Sequence, residues 1–261
     1  METPDSTPTG PLTPEQVARY RRDGYLVVDG LFTPDEVARF VAYEQQPKPD
    51  GWNEDLRRHT HDALWSQYAR NPRITGILRQ LTGAEPFTVQ SMYLEKKPAA
   101  AGAPIGGQGI ALHQDLHYLP TDTGRLVACW CAMSDTDAEN GGLCVVPGSH
   151  HRGLYKTHKA HDTAEHDAWE TTYVMRERDG REWEQAFYSF EIEGLDPATV
   201  VRLDVPAGSG VVFDGLTIHG SFANRSPTRH RRALAFHYVP DDTWVLRSDV
   251  QPPTPLTGAV A

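Results

Sequence analysis

From Phe87 onward the chain changes texture, and that change limits the folds open to it. Before it, apolar residues recur at helical spacing. After it, they fall in short runs broken by Gly, Pro, Asn and Asp. Runs near 87–95, 109–118, 125–133, 143–147, 199–204, 209–213, 216–221 and 232–239 have strand length. Many short strands behind a helical front predict a mainly β protein with flanking helices, built as a barrel or sandwich.

The front is legible in detail. Thr13-Pro14-Glu15 supplies a helix N-cap, a first-turn proline and an early acid, and Asp23-Gly24 stops that helix. Tyr25–Val28 reads as a strand. Thr33-Pro34-Asp35-Glu36 repeats the start signal, and Val37, Phe40 and Val41 share a helical face. Trp52–His61 reads as irregular. Asp62–Arg70 and Pro72–Leu81 read as short helices, the second capped at Thr82-Gly83. The 261 residues suit one large core. The expected layout is a disordered tail over 1–11 and a single domain over 12–261. Within it, 12–84 form the helical front and 85–240 the β core, with an insertion at 151–194.

Two of the strand-like runs carry chemistry. Ala111-Leu112-His113-Gln114-Asp115 places an imidazole and a carboxylate two residues apart, and so on one face of a strand. Leu216-Thr217-Ile218-His219-Gly220-Ser221 offers a distant second imidazole. Two His and one carboxylate leave coordination positions open, which suits Fe(II) activating O2. Asp204 and Asp214 are rival carboxylates outside any such pair. His150, His151, His158, His161 and His166 are too irregularly spaced to argue for a second metal site.

Composition closes other routes. A net charge of −10 argues against nucleic acid as a partner. No apolar run is long enough to span a bilayer. Cys129, Cys131 and Cys144 form no CxxC pair and read as buried small hydrophobes, as in a reducing cytoplasm. The opening segment has no signal-peptide pattern and the end no peroxisomal address, so a cytoplasmic location is expected.

The words HQDLHYLP, CWCAMSDTDAENGGLCVVPGSHHRG and HGSFANRSPTRHRRALAFHYV, with DGYLVV near the N-terminus, resemble the phytanoyl-CoA dioxygenase family of Fe(II)/2-oxoglutarate oxygenases. The resemblance implies a double-stranded β-helix, a jelly-roll or cupin-like barrel, with the ligands His113, Asp115 and His219 at its open end. It implies Fe(II), 2-oxoglutarate as co-substrate and O2. The far carboxylate of 2-oxoglutarate calls for a cation, and the family motif places Arg231 there, with Arg232 as runner-up. Strand alternation would turn Arg231, Ala233 and Ala235 inward, and Arg232, Leu234 and Phe236 outward. Ser221, Trp130, Gln114 and Met92 match family positions near the co-substrate. His117 and Tyr118 lie close enough to touch substrate. Lys96 and Lys97 could meet an anionic substrate group but read more simply as solvated, Arg225 and Arg229 as turn residues, and His230 and His237 as packing or surface residues.

The function expected is an oxygenase acting on a small-molecule metabolite, most simply a hydroxylase. Alternatives are an acyl-CoA 2-hydroxylase and a non-redox, cupin-like metalloenzyme. The same chemistry could also end in desaturation, epimerisation or ring closure. The Pro98–Gln108 segment should be a mobile loop. The insertion reads either as a lid or as a solvated excursion with a helix of its own.

Overall fold

The structure, a computed structural model, describes residues 10–163, 165–166 and 168–256. Residues 1–9 of the expected tail lie outside that range. Both early helices start as their sequences predict. Helix α1 (Pro14–Asp23) and helix α2 (Pro34–Glu44) each carry a full capping box, Thr13 with Gln16 and Thr33 with Glu36. Gly24 ends α1 at φ 80°, the left-handed conformation that glycine adopts without strain. Strand β1 (Tyr25–Val28) lies between them. Helices α3 (Ala63–Ala69) and α4 (Pro72–Thr82) complete the front.

The strands that follow are β2 (Pro86–Lys96), β3 (Ile110–His113), β4 (Val127–Ala132) and β5 (Leu143–Val145). After the insertion come β10 (Val201–Arg202), β11 (Gly210–Asp214), β12 (His219–Ser221), β13 (Arg231–Pro240) and β14 (Thr254–Pro255). They form two antiparallel sheets. The larger has the order β1-β11-β4-β13-β2-β14 and the smaller β10-β5-β12-β3. This is the double-stranded β-helix expected. Its two faces of apolar side chains have separate tasks. Leu234, Phe236 and Tyr238 point out of β13 onto Phe40, Trp65 and the rest of the helical layer. Ala233 and Ala235 point inward, with Trp130, Val145 and Phe213.

Three expectations need correction. The run 109–118 is not one strand, because β3 ends at His113 and Asp115 opens a single helical turn, α5 (Asp115–Tyr118). The run 216–221 is strand only over its last three residues. The insertion, among its described residues, holds strands and no α-helix. These are β6 (Thr157–Lys159), β7 (Glu170–Arg176), β8 (Glu182–Tyr188) and β9 (Phe190–Ile192), paired β6-β9 and β7-β8. The β7-β8 hairpin turns at Asp179-Gly180, with Gly180 at φ 89°. The Pro98–Gln108 segment has no regular structure. It is tied down at Ala99 and Gly106, whose N–H groups donate to Ser226 and Asn224 carbonyls.

One buried group in the front gives stability a pH dependence. His59, in the 3₁₀ turn Arg58–Thr60, is 2% exposed, with Nδ1 3.0 Å from Ser91 Oγ. Burial pushes its imidazole from 6.5 down to about 3. At neutral pH this residue is uncharged both folded and unfolded. As pH falls below 6.5, only the unfolded chain takes up this proton, so stability falls. The loss from this residue is expected to reach about 2 kcal/mol by about pH 5. Urea unfolding at pH 7 and pH 5 should show a smaller drop in His59→Gln than in the parent. Equal drops would remove His59 as the source.

Candidate active site

The site forms where β3 and β12 run side by side. His113 and His219 are direct partners across the pair. Gly220 permits this approach, since a Cβ there would sit 2.7 Å from the Ile110 carbonyl oxygen. Gln114 keeps an extended backbone, φ −115° and ψ 133°, so Asp115 still points to the His113 side although it begins a helix. His113, Asp115 and His219 bring one ligand atom each to within 4.8 Å of one another. Asp115 Oδ1 lies 3.6 Å from His113 Nε2 and 3.5 Å from His219 Nε2. Among the described residues this is the only such group of three or more His, Cys, Asp or Glu side chains.

The hydrogen bonds decide which atoms are free. His113 Nδ1 donates to the Ala111 carbonyl at 2.7 Å, and His219 Nδ1 donates to the Thr217 carbonyl at 3.0 Å. A carbonyl can only accept, so both Nδ1 atoms carry the proton and both Nε2 lone pairs face Asp115. Such neutral imidazoles with oriented second nitrogens are what a divalent metal requires. Burial lowers the His219 pKa to about 4, which keeps the ring available as a ligand at neutral pH. Burial alone would raise the Asp115 carboxyl, but His219, His237 and His113 hold it well below its usual range. The donor set fits Fe(II).

His237 on β13 was expected to pack or face solvent. The structure instead puts its Nε2 3.1 Å from Asp115 Oδ2, 122 residues away in sequence. It donates to the oxygen that does not face the two histidines, and so fixes the carboxylate's rotation. His237→Leu is expected to lower metal affinity by roughly ten- to a hundredfold. His237→Gln, whose amide can still donate, should recover part of this. Metal titration of the two variants checks it; equal affinity in His237→Leu and the parent would assign His237 to packing alone.

A cavity of about 270 Å³ opens beside the triad. Arg231 and Ser221, both beside Lys96, line one end, and Trp130 and Met92, the strand partners of Ala235, line the stretch between them and the ligand face. Arg231 is 2% exposed and donates through Nη1 to the Leu94 carbonyl at 3.0 Å. Its Nε finds no partner among the described residues. Burial lowers its pKa to about 10, so it stays charged at neutral pH. Arg232, the runner-up, lies on the opposite face and pairs with Glu95 at 2.9 Å. Arg225 and Arg229 pair with Glu165 and Asp137, away from the cavity.

Two more residues depart from expectation. Gln114 does not reach the cavity. Its amide nitrogen donates to the Gly153 and Leu216 carbonyls, and its oxygen accepts from Tyr155 N. With His113 and Asp115 pointing inward, the residue between them must point away. Gln114 ties the ligand segment to the start of the insertion. Lys96, expected in solvent, is 3% exposed. Its Nζ donates to Ser221 Oγ at 2.7 Å and to the Phe222 carbonyl at 2.5 Å. Burial, with the Arg231 charge nearby, pulls its ammonium down to about 6. The other end of the cavity is aromatic. Tyr118, Trp169 and Tyr173 line it, and the Tyr118 ring lies 5.2 Å from His113. His117 packs on Phe190 instead.

A jelly roll with an open His-Asp-His face and a buried arginine beside it defines a non-haem Fe(II)/2-oxoglutarate-dependent dioxygenase. Comparison with known proteins narrows this class. The sequence model of the family described as phytanoyl-CoA dioxygenase (PhyH) matches residues 20–233. The chain belongs to that family. A "Phytanoyl-CoA dioxygenase" of Arabidopsis thaliana is 23% identical, over 94% of this chain and 97% of the relative. The mouse "Phytanoyl-CoA dioxygenase domain-containing protein 1" is 31% identical, over 87% and 90%. Among solved structures, the epimerase SnoN in complex with Fe3+, alpha ketoglutarate and nogalamycin RO superposes with a TM-score of 0.64. It is 20% identical, with 94% and 96% of the two chains covered. The enzyme uses iron and 2-oxoglutarate, with O2 as the oxidant.

Proposed function

We propose that the chain oxidises a C–H bond of a free small-molecule metabolite, with hydroxylation as the outcome. In this reading His113, Asp115 and His219 hold the iron. Arg231, Ser221, Trp130 and Met92 surround 2-oxoglutarate. The observation that carries it is the polarity of the cavity. A buried cation and a hydroxyl lie at one end, the ligand face in the middle, and aromatic rings at the other end. Iron, O2 and the decarboxylation of 2-oxoglutarate to succinate supply the oxidising power.

The chain's own groups bind and orient. The Arg231 fork meets the far carboxylate of 2-oxoglutarate. Ser221, held by Lys96, adds a hydrogen bond beside it. Trp130 and Met92 keep water from that end. His237 keeps Asp115 turned toward the ligand face. Tyr118 and the residues beyond it hold the substrate.

The runner-up is an acyl-CoA substrate, as the names of the two relatives suggest. A CoA group brings several phosphate charges and needs a basic rim. Arg176, Arg178 and Arg181 of the insertion are each paired with a carboxylate, from Glu182, Asp122 and Glu177. The net charge is −10. Both favour a lightly charged substrate. Among the described residues no helix is long and apolar enough to cross a membrane. The three buried thiols, all free, suit a reducing compartment such as the cytoplasm.

The test is succinate release with a branched acyl-CoA series and with a panel of uncharged metabolites. Turnover is expected from the second set. Efficient, saturable turnover of an acyl-CoA, weakened by added salt, would promote the runner-up.

A further inference from the structure

The far end of the cavity has more order than a surface opening requires. Trp169 is 43% exposed, yet its backbone is fixed on both sides. Its N–H donates to Ser189 Oγ at 3.0 Å, and its carbonyl accepts from Ser189 N at 3.0 Å. Its ring lies 5.6 Å from that of Tyr118, tilted by 34°. The Tyr118 hydroxyl accepts from Phe190 N–H at 2.9 Å, which anchors the ring. Tyr173 is held from behind. The Arg247 guanidinium sits 3.9 Å from its ring centroid. Arg247 is itself 4% exposed and locked by Asp249 and the Tyr118 carbonyl.

Trp169, immediately before β7, and Tyr173 on it are four residues apart, and the pairing of Trp169 with Ser189 continues the β7-β8 register, so the two share one face, roughly 13 Å apart. Three fixed aromatic groups therefore span the cavity mouth beside the ligand face. Rigid aromatic platforms of this kind bind flat rings at little entropic cost. Among the described residues, no unpaired cation lines the aromatic end. The cationic lysine and arginine side chains lining the cavity are Arg231, at the opposite end, and Arg247, already paired.

We infer that the mouth selects a neutral, planar ring system of about two or three fused rings, matched to the spacing of Trp169 and Tyr173. This names the substrate class for the oxygenase reading and rests on it. An aliphatic chain would fill the same space without using the ring faces. Rigid platforms for it would give no advantage over leucines.

The experiment uses the full chain with Fe(II) and 2-oxoglutarate under nitrogen, and measures equilibrium binding. The probes are 2-naphthol, 1-hydroxyanthraquinone, dodecanamide and lauroyl-CoA. One ring probe per chain should bind saturably, and more tightly than dodecanamide or lauroyl-CoA. Trp169→Leu and Tyr173→Leu should each weaken the ring probes by about tenfold, and dodecanamide by less than about twofold. Trp169→Phe, which keeps a ring, should retain most of the binding. Absent ring binding, tighter binding of dodecanamide or lauroyl-CoA, or equal losses for ring and alkyl probes would overturn the inference. Binding of 2-oxoglutarate is followed in the same samples. If the parent failed to bind it, the oxygenase reading itself would fall. If 2-oxoglutarate bound and the ring probes did not, only the substrate class would.

Discussion

Asp115→Ala and His219→Ala are each expected to abolish substrate-dependent succinate formation and to lose stoichiometric Fe(II). The physical reason is the small number of protein ligands. An open face has three, so removing one leaves a two-point site. The loss in affinity should exceed about a hundredfold, because even partners one step removed from a metal contribute about ten- to a hundredfold. The fold should survive, since β3 and β12 stay paired through their backbones. Asp115→Asn is a sharper variant. His237 Nε2–H needs an acceptor, so the amide oxygen turns toward it and the NH2 group faces the two histidines. An NH2 group is no ligand, and Asp115→Asn should be as inactive as Asp115→Ala. Metal analysis after anaerobic loading, with succinate measured in parallel, checks both. Full turnover in His219→Ala would falsify the triad.

The second large effect belongs to Arg231. Arg231→Leu is expected to weaken 2-oxoglutarate binding by at least about thirtyfold, since removing one partner of a buried charge-assisted pair costs about 2–5 kcal/mol. Arg232→Leu should change it little. Its side chain lies on the outer face against Glu95. At saturating co-substrate, Arg231→Leu should recover much of its rate. Arg231→Lys should fall between, because a lysine offers a point charge in place of a fork. A larger effect from Arg232→Leu would mean that β13 presents the other face to the cavity.

Much of this was legible in local patterns. Thr13 and Thr33 announced their helices because capping is a matter of adjacent residues. The alternation along Arg231–Phe236 separated cavity from helical layer because a strand has only two faces. The same rule reaches two further residues. His237 shares its parity with Arg231, Ala233 and Ala235, and Lys96 shares its parity with Met92 and Leu94. Both could have been placed inside. Gln114 could have been placed outside, between two inward ligands. The role of His237 was still hidden, since its partner lies on another sheet's loop. In the insertion, Asp179-Gly180 between Thr171–Met175 and Trp183–Tyr188 is a hairpin signal, masked by the polar residues around it. What no local pattern could supply is the aromatic end of the cavity. It joins Tyr118 of α5, Trp169 and Tyr173 of the insertion and Arg247 near the end of the chain.

The most direct measurement is an anaerobic titration of the purified chain with Fe(II), followed by 2-oxoglutarate. Calorimetry would follow it, together with the visible charge-transfer absorption that chelation of iron by a 2-oxo acid produces. One Fe(II) per chain is expected, then one 2-oxoglutarate, with the absorption appearing in the parent and absent in His219→Ala. Metal binding that is the same in His219→Ala, or 2-oxoglutarate binding that produces no such absorption, would contradict the assignment of His113, Asp115 and His219 as the iron site.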